Sequence, residues 1–258
     1  MLNVSQIEKT FLKGTPVENR ALKGVDLVLE AGDYVTVIGG NGAGKSTLLS
    51  AVAGTFIVDA GKIEINGVDV TKSSDIKRAK YVGRVFQDPL KGTVNAMSIE
   101  ENLSLAYRRG KKRGLRWYTS KQERELFKEM LALLDLGLEA RLGDDIGLLS
   151  GGQRQAVALL MATFHQPDLL LLDEHTAALD PKTAAKVLQI GDMLIARDRL
   201  TTLMVTHNMK DAIAHGNRLI MMNAGRVALD IRGEEKTNLT PELLLQKFNE
   251  GLIESMLS

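Results

Sequence analysis

The stretch Gly39-Gly40-Asn41-Gly42-Ala43-Gly44-Lys45-Ser46 constrains this chain more than any other. It follows a short apolar run, Tyr34 to Ile38, that reads as a buried strand, and it precedes Ser46 to Ala53, which has helical character. Glycines at 39, 40, 42 and 44 are expected to let the backbone wrap closely around phosphate and turn successive N–H groups inward. The helix that follows aims its positive end at the same point. Lys45 adds a point charge for the β- and γ-phosphates, and the Ser46 hydroxyl is suited to ligate Mg²⁺. Asn41, Ala43 and Thr47 complete the nucleotide-binding stretch. No Asn-Lys-x-Asp guanine-reading motif occurs, which lowers GTP as the ligand. The loop by itself still leaves kinases, helicases and transport ATPases open.

Two further segments carry chemistry. Leu169-Leu170-Leu171-Leu172-Asp173-Glu174 ends an apolar strand in two adjacent acids. In a doubly wound sheet, ligands bind beyond the carboxyl ends of the strands, so these acids and the Gly39 loop are expected to meet. Asp173 suits an outer-sphere Mg²⁺ contact, and Glu174 suits a general base toward an attacking water. Between the two lies Leu149-Ser150-Gly151-Gly152-Gln153, in which Ser150 reads as an N-cap and the glycines open backbone N–H groups at a helix start. That is a second anion-binding end, which suggests that two chains share each nucleotide.

Around these segments the chain reads as α/β. The first 35 residues alternate in a β manner, and Ile63 to Val70 forms a hairpin around Asn66-Gly67. Tyr81 to Phe86, Leu203 to Thr206 and Leu219 to Met222 read as further strands. Helices are expected over Gln153 to Ala162, after Asp180-Pro181 and after Thr240-Pro241. Residues 89–162 read as a helical insert between core portions 1–88 and 163–258, with Leu126, Met130, Leu133 and Leu134 on its apolar face. Alternating buried strands and helices imply a mostly parallel sheet covered on both sides.

Composition removes several alternatives. Thirty-three basic and 32 acidic residues leave a net charge of +1, so no whole-chain field draws the protein to nucleic acid or anionic lipid. The absence of cysteine excludes disulfides, thiolate metal sites and cysteine nucleophiles. The N-terminus lacks the apolar region of a signal peptide, and no stretch approaches the roughly 18–20 apolar residues of a membrane span. The chain is expected to be soluble by itself, with any membrane role supplied by a partner.

Taken in order, phosphate loop, Gln87, Leu149 to Gln153, Asp173-Glu174, Ala178-Leu179-Asp180 and His207, the sequence resembles the ATP-binding subunit of ABC transporters over essentially its whole length. The resemblance implies a P-loop NTPase core with a mostly parallel sheet, an N-terminal antiparallel β portion and an inserted helical lobe. It implies that Gln87 sits near Mg²⁺ and the water, that His207 contacts the γ-phosphate, and that Asp180 lies in a loop crossing a dimer interface. Ser150, Gly151 and Gly152 would cap the γ-phosphate of ATP held by a second copy, with Gln153 beside them, and Phe11 would stack on adenine. Implied partners are that second copy, integral membrane permease subunits and a solute-binding protein, with the ATPase on the cytoplasmic face of the membrane. A soluble ABC-type ATPase acting on a non-transport partner is the alternative.

Two positions depart from the family pattern: His175 follows the glutamate where proline is usual, and Gly40 replaces a common proline or serine. Neither removes a group the chemistry needs. The Asp-Glu-His-Thr-Ala-Ala-Leu-Asp variant resembles that of bacterial ATPases paired with importers for small solutes, aromatic amino acids among them. His165, His175 and His215 have no support from the motif series. A basic run, Arg108, Arg109, Lys111, Lys112, Arg113 and Arg116, followed by Trp117 and Tyr118, reads either as a solvated loop or as a contact for anionic headgroups or an acidic permease loop.

Overall fold

Alternation in the first segment becomes a pair of antiparallel strands, β1 (Leu2–Phe11) and β2 (Asn19–Leu29), in which Val25, Leu27 and Leu29 are buried while Asp26 and Val28 face out. This is the computed structural model of the chain, and it describes residues 1–110 and 119–248. β3 (Tyr34–Ile38) leads through the glycine loop into α1 (Lys45–Ala53). β4 (Ala60–Ile65) and β5 (Val68–Asp69) close the expected hairpin, with Asn66 and Gly67 both at positive φ (49° and 75°), as a tight two-residue turn requires. α2 (Asp75–Arg78) and β6 (Val82–Val85) follow.

The middle of the chain is helical: α3 (Ile99–Tyr107), α4 (Lys121–Ala132) and α5 (Gly151–Thr163). Each starts at a serine, Ser98, Ser120 or Ser150, whose hydroxyl accepts the N–H of a Glu or Gln three residues on, while that side chain accepts the serine N–H. These reciprocal bonds satisfy two otherwise orphaned donors per helix. On α4 the buried residues are Phe127 and Leu131, with Leu134 buried just past the helix end; Leu126 and Met130 are half-buried and Leu133 is 43% exposed. Of the expected face, Leu134 is buried and Met130 packs against the core, whereas Leu133 is exposed and Phe127 and Leu131, which were not expected, are fully buried. Phe127 packs edge-on against Tyr107 and Phe164, and the helix ends before Leu133.

The last third returns to α/β: β7 (Leu169–Asp173), α6 (Pro181–Asp198), β8 (Thr202–Val205), α7 (Met209–Ala214), β9 (Arg218–Asn223) and β10 (Arg226–Arg232). α8 (Gly233–Thr237) and a helix over 241–248 complete the described chain. Among the described residues the strands form two sheets, β2-β1-β4-β5 and β10-β9-β3-β8-β7-β6. The first is antiparallel, and the second is parallel except for β10 on β9. The architecture is the expected α/β core with an antiparallel N-terminal portion.

The four leucines of β7 show why that strand is apolar throughout. Leu169 and Leu171 enter the cluster formed with α1 and the N-terminal sheet, and Leu170 and Leu172 enter the cluster beneath α5 and α6. Each is at most 1% exposed, and burial of such a side chain is worth about 1.5–3 kcal/mol, so both faces anchor the acids that follow. The register does the rest. Val205 pairs with both Val37 and Asp173, which sets the ends of β3, β8 and β7 in one row at the carboxyl edge of the sheet.

Candidate functional site

The glycine loop leaves β3 at this edge. Gly39, Gly42 and Gly44 have φ of +152°, +78° and +100°, conformations unfavourable for a side chain. A Cβ on Gly39 would stand 2.3 Å from the Met222 carbonyl oxygen, and one on Gly44 would stand 2.7 Å from that of Ala21. Gly40 is different: its φ is ordinary and its surroundings are open, so the backbone demands glycine at three of the four positions.

Lys45 is 7% exposed, and its Nζ donates to the carbonyls of Gly39 (2.8 Å) and Gly40 (3.2 Å). The ammonium thus lies across the loop with no carboxylate neutralising it in those bonds. Gly44 caps α1 without a side-chain bond, so its first N–H groups are left for an anion. Asn41 and Ser46 are exposed, Thr47 is half-buried, and Ala43 is buried with its carbonyl accepting the Gly225 N–H.

Asp173 ends β7, and Glu174 follows with φ +44° while its N–H donates to Val205. A left-handed non-glycine residue costs on the order of 1–3 kcal/mol and persists only where its surroundings hold it. Here the turn carries the Glu174 carboxylate to 3.5 Å from Nδ1 of His207, which is 60% exposed beyond β8. Gln87 is exposed just past β6, where Gln155 Nε2 on α5 binds the Phe86 carbonyl at 3.0 Å. Asp180 caps α6, its carboxylate accepting the Thr183 N–H, and this bonding holds its pKa below the usual range. Phe11 meets Phe56 edge-on, with ring centroids 5.3 Å apart and the Lys9 ammonium over both rings.

Ser150 caps α5 as expected, with Gly151 exposed and Gln153 half-buried. Gly152 has a role that sequence reasoning did not find. A Cβ there would lie 2.0 Å from Cγ2 of Thr183, so the residue is small because α6 passes over it. Backbone exposure alone had been expected, and it accounts for Gly151 only.

Other groups escaped the sequence reading. Arg84 on β6 pairs with Asp173 at 3.0 Å. Its signal was present: a charged residue inside the otherwise apolar Tyr81 to Phe86 strand needs a buried partner. His175 is 3% exposed, near the Asp192–His215 pair (2.7 Å). Burial, then the charge of His215, pushes its pKa down to about 4 against the pull of Asp192, which makes it a neutral core side chain. Tyr34 is shifted upward by burial and then by Asp192.

A cleft of about 530 Å³ runs between the core and the helical segment, lined by Thr55, Ile76, Arg84, Phe86 and Arg109 among others. Of the basic run, Arg108 pairs with Glu123 (3.2 Å) and Arg109 lines this cleft; Lys111, Lys112, Arg113, Arg116, Trp117 and Tyr118 lie outside the described residues. Among the described residues no helix is long and apolar enough to cross a membrane, and no group of three His, Cys, Asp or Glu residues gathers as a metal cage.

The residues expected to hold Mg²⁺, Ser46, Gln87 and Asp173, offer oxygen donors, one of them a carboxylate. Such a set fits Mg²⁺, which keeps waters and substrate phosphate oxygens as ligands rather than a full protein cage.

A glycine loop, an uncapped helix end and two acids at the carboxyl edge of a parallel sheet define a P-loop nucleotide-binding protein. The ABC transporter family profile matches residues 22–177. Over 252 residues the chain is 42% identical to the tyrosine transport ATP-binding protein of Clostridioides difficile (strain R20291), covering 96% of this chain and 98% of that protein. It is 32% identical to the phosphonates import ATP-binding protein PhnC 1 of Rhodopseudomonas palustris (strain BisB18), covering 97% and 90%. A solved dimer of the ATP-binding cassette MJ0796, in a post-hydrolysis state with ADP and Pi, superposes with a TM-score of 0.76 at 29% identity, covering 90% of this chain and 98% of that one. The chain belongs to the ABC transporter family and is an ATP-binding subunit of such a transporter.

Proposed function

We propose that the chain hydrolyses Mg-ATP between two copies of itself and drives import of a small solute through separate permease subunits at the cytoplasmic face of the membrane. The observation that carries the chemistry is the Glu174 carboxylate, held 3.5 Å from His207 on the sheet edge that also bears the glycine loop. Glu174 takes a proton from, or orients, the attacking water, while Lys45 and His207 offset charge developing on the phosphate oxygens. Ser46, Gln87 and Asp173 hold Mg²⁺ directly or through water. Held by these residues, the cation would neutralise part of the phosphate charge.

Ser150 and Gly151 of the second copy close over the γ-phosphate, and Asp180 lies at the interface. Phe11 stacks on adenine. The helical segment 89–162, with its cleft, passes dimer closure to the permease, in keeping with the dimeric state of the solved relative. An aromatic amino acid is the solute class favoured by the tyrosine-transport relative.

Glu174→Gln tests the core of this reading. The variant should bind ATP with near wild-type affinity, lose at least about a hundredfold in phosphate release, as removal of a general base does, and run as a dimer in ATP. Wild-type turnover would remove Glu174 from its role.

A further inference from the structure

Arg84 sits on an edge strand whose neighbours Val82, Gly83 and Val85 are buried, yet its own side chain is only 17% exposed. The guanidinium is held from several directions. It donates to Thr55 Oγ1 at 3.0 Å and, more loosely, to Ser50 Oγ at 3.3 Å, and it lies over the Phe86 ring at 4.7 Å. Its remaining bond goes to Oδ2 of Asp173, at 3.0 Å, in a pair whose carboxylate side is 16% exposed. Nε is buried and has no partner among the described residues. The Asp173 Oδ1 atom makes no hydrogen bond or ion pair among the described residues.

We propose that Arg84 is a positioning residue for Asp173. Resting on the assignment of Asp173 to Mg²⁺ above, the inference is that Arg84 occupies Oδ2 and so presents Oδ1 to the bound Mg-nucleotide. A free aspartate at a strand end samples several χ1 and χ2 settings; a charge-assisted bond to a guanidinium wedged against α1 and an aromatic ring selects one. The cation also lowers the charge that Asp173 brings to the site, which by itself would weaken attraction for Mg²⁺. The geometric term dominates in this assignment, and the sign of the effect on Mg²⁺ therefore decides the matter.

The test uses the full chain carrying Glu174→Gln, so that nucleotide is not consumed. A fluorescent N-methylanthraniloyl-ATP probe is titrated in EDTA and over a range of Mg²⁺ concentrations. Arg84→Leu should raise the Mg²⁺ concentration for half-maximal binding enhancement about tenfold, the scale of one lost charge-assisted bond, and change affinity in EDTA less than about twofold. Arg84→Lys, which keeps the charge and one donor to Asp173, should recover to within about threefold of the parent. With Glu174 restored, Arg84→Leu should lower kcat about tenfold while leaving KM for ATP unchanged at saturating Mg²⁺.

Asp173→Asn separates the two layers of the argument. If it leaves Mg²⁺ enhancement intact, the metal assignment fails and the inference falls with it. If it removes the enhancement while Arg84→Leu leaves the Mg²⁺ requirement unchanged or tighter, Arg84 is only a strut and the inference alone is overturned. Equal loss in EDTA and in Mg²⁺ overturns it too. Should Arg84→Leu fail to fold, Arg84→Gln replaces it with the same expectations.

Discussion

Two helices of this protein begin at glycine-bearing sequences, and they are built on opposite plans. At α1, glycines are demanded by backbone angle and by carbonyls pressed against Gly39 and Gly44, and no side chain caps the helix. At α5, Ser150 and Gln153 cap each other's backbone, and Gly152 is demanded by the Thr183 methyl of α6. The first end is left open for an anion within one chain. The second already satisfies part of its own need, so it can stand exposed until another surface arrives. Similar composition thus serves binding in one place and packing plus presentation in the other.

This contrast can be broken by substitution. Gly39→Ala should produce the largest effect, with nucleotide affinity lost at least about a hundredfold and stability lowered by roughly 1–3 kcal/mol through strain and overlap. Gly40→Ala should shift both by less than the roughly 0.5 kcal/mol typical of surface changes. Equal effects in nucleotide titration and thermal melting would erase the distinction drawn between the two glycines. Ser150→Ala should next remove the ATP-dependent dimer expected in the Glu174→Gln background, cost about 1 kcal/mol of stability as a lost cap, and leave nucleotide affinity of the monomer intact. Sedimentation and nucleotide binding together check it.

Gly152→Ala sharpens the comparison further. It should cost about 1–3 kcal/mol by overpacking, and Thr183→Ser in the same chain, which deletes the offending methyl, should recover most of that in denaturant melts. A null rescue would mean that Gly152 is small for backbone reasons, as at α1. A pH-dependent effect concerns β10, which carries Asp230. Burial raises the Asp230 pKa, but Arg218 and Arg232 outweigh it and hold the carboxyl at about 2, below its ordinary 3.8. Its folded value is depressed, so its contribution is full above about pH 4 and drains as pH falls toward 2. Asp230→Asn should therefore melt a few degrees lower near neutral pH, with the gap to the parent closing by about pH 2.

Local signals were legible wherever one side chain satisfies its own neighbourhood. Asn66-Gly67 announced a hairpin because both residues accept positive φ. Ser150 announced a cap by residue type before an apolar run; the reciprocal bond from Gln153, and the same boxes at Ser98 and Ser120, were present in the sequence but emerge only in the structure. The apolar face around α4 was legible only in part, since Leu134 is buried as expected but Phe127 finds its aromatic partners on Tyr107 and Phe164, which are distant in sequence. The same applies at the site. Gly39, Lys45 and Asp173-Glu174 were recognisable from residue type and order, whereas the partners of Arg84 and the environment of His175 come from other elements.

The sequence by itself determined the phosphate loop, the acids that close β7, the caps and the alternation of strands and helices, because each depends on backbone angles, periodicity or bonds within a few residues. Only the tertiary structure decided that Val37, Val205 and Asp173 share a row, that Gly152 yields to Thr183 and not Gly40 to anything, and that Arg84 grips Asp173. Those are distances between segments brought together by burial of two apolar faces, and apolar burial is non-directional: it forces contact without specifying from sequence which atoms will meet.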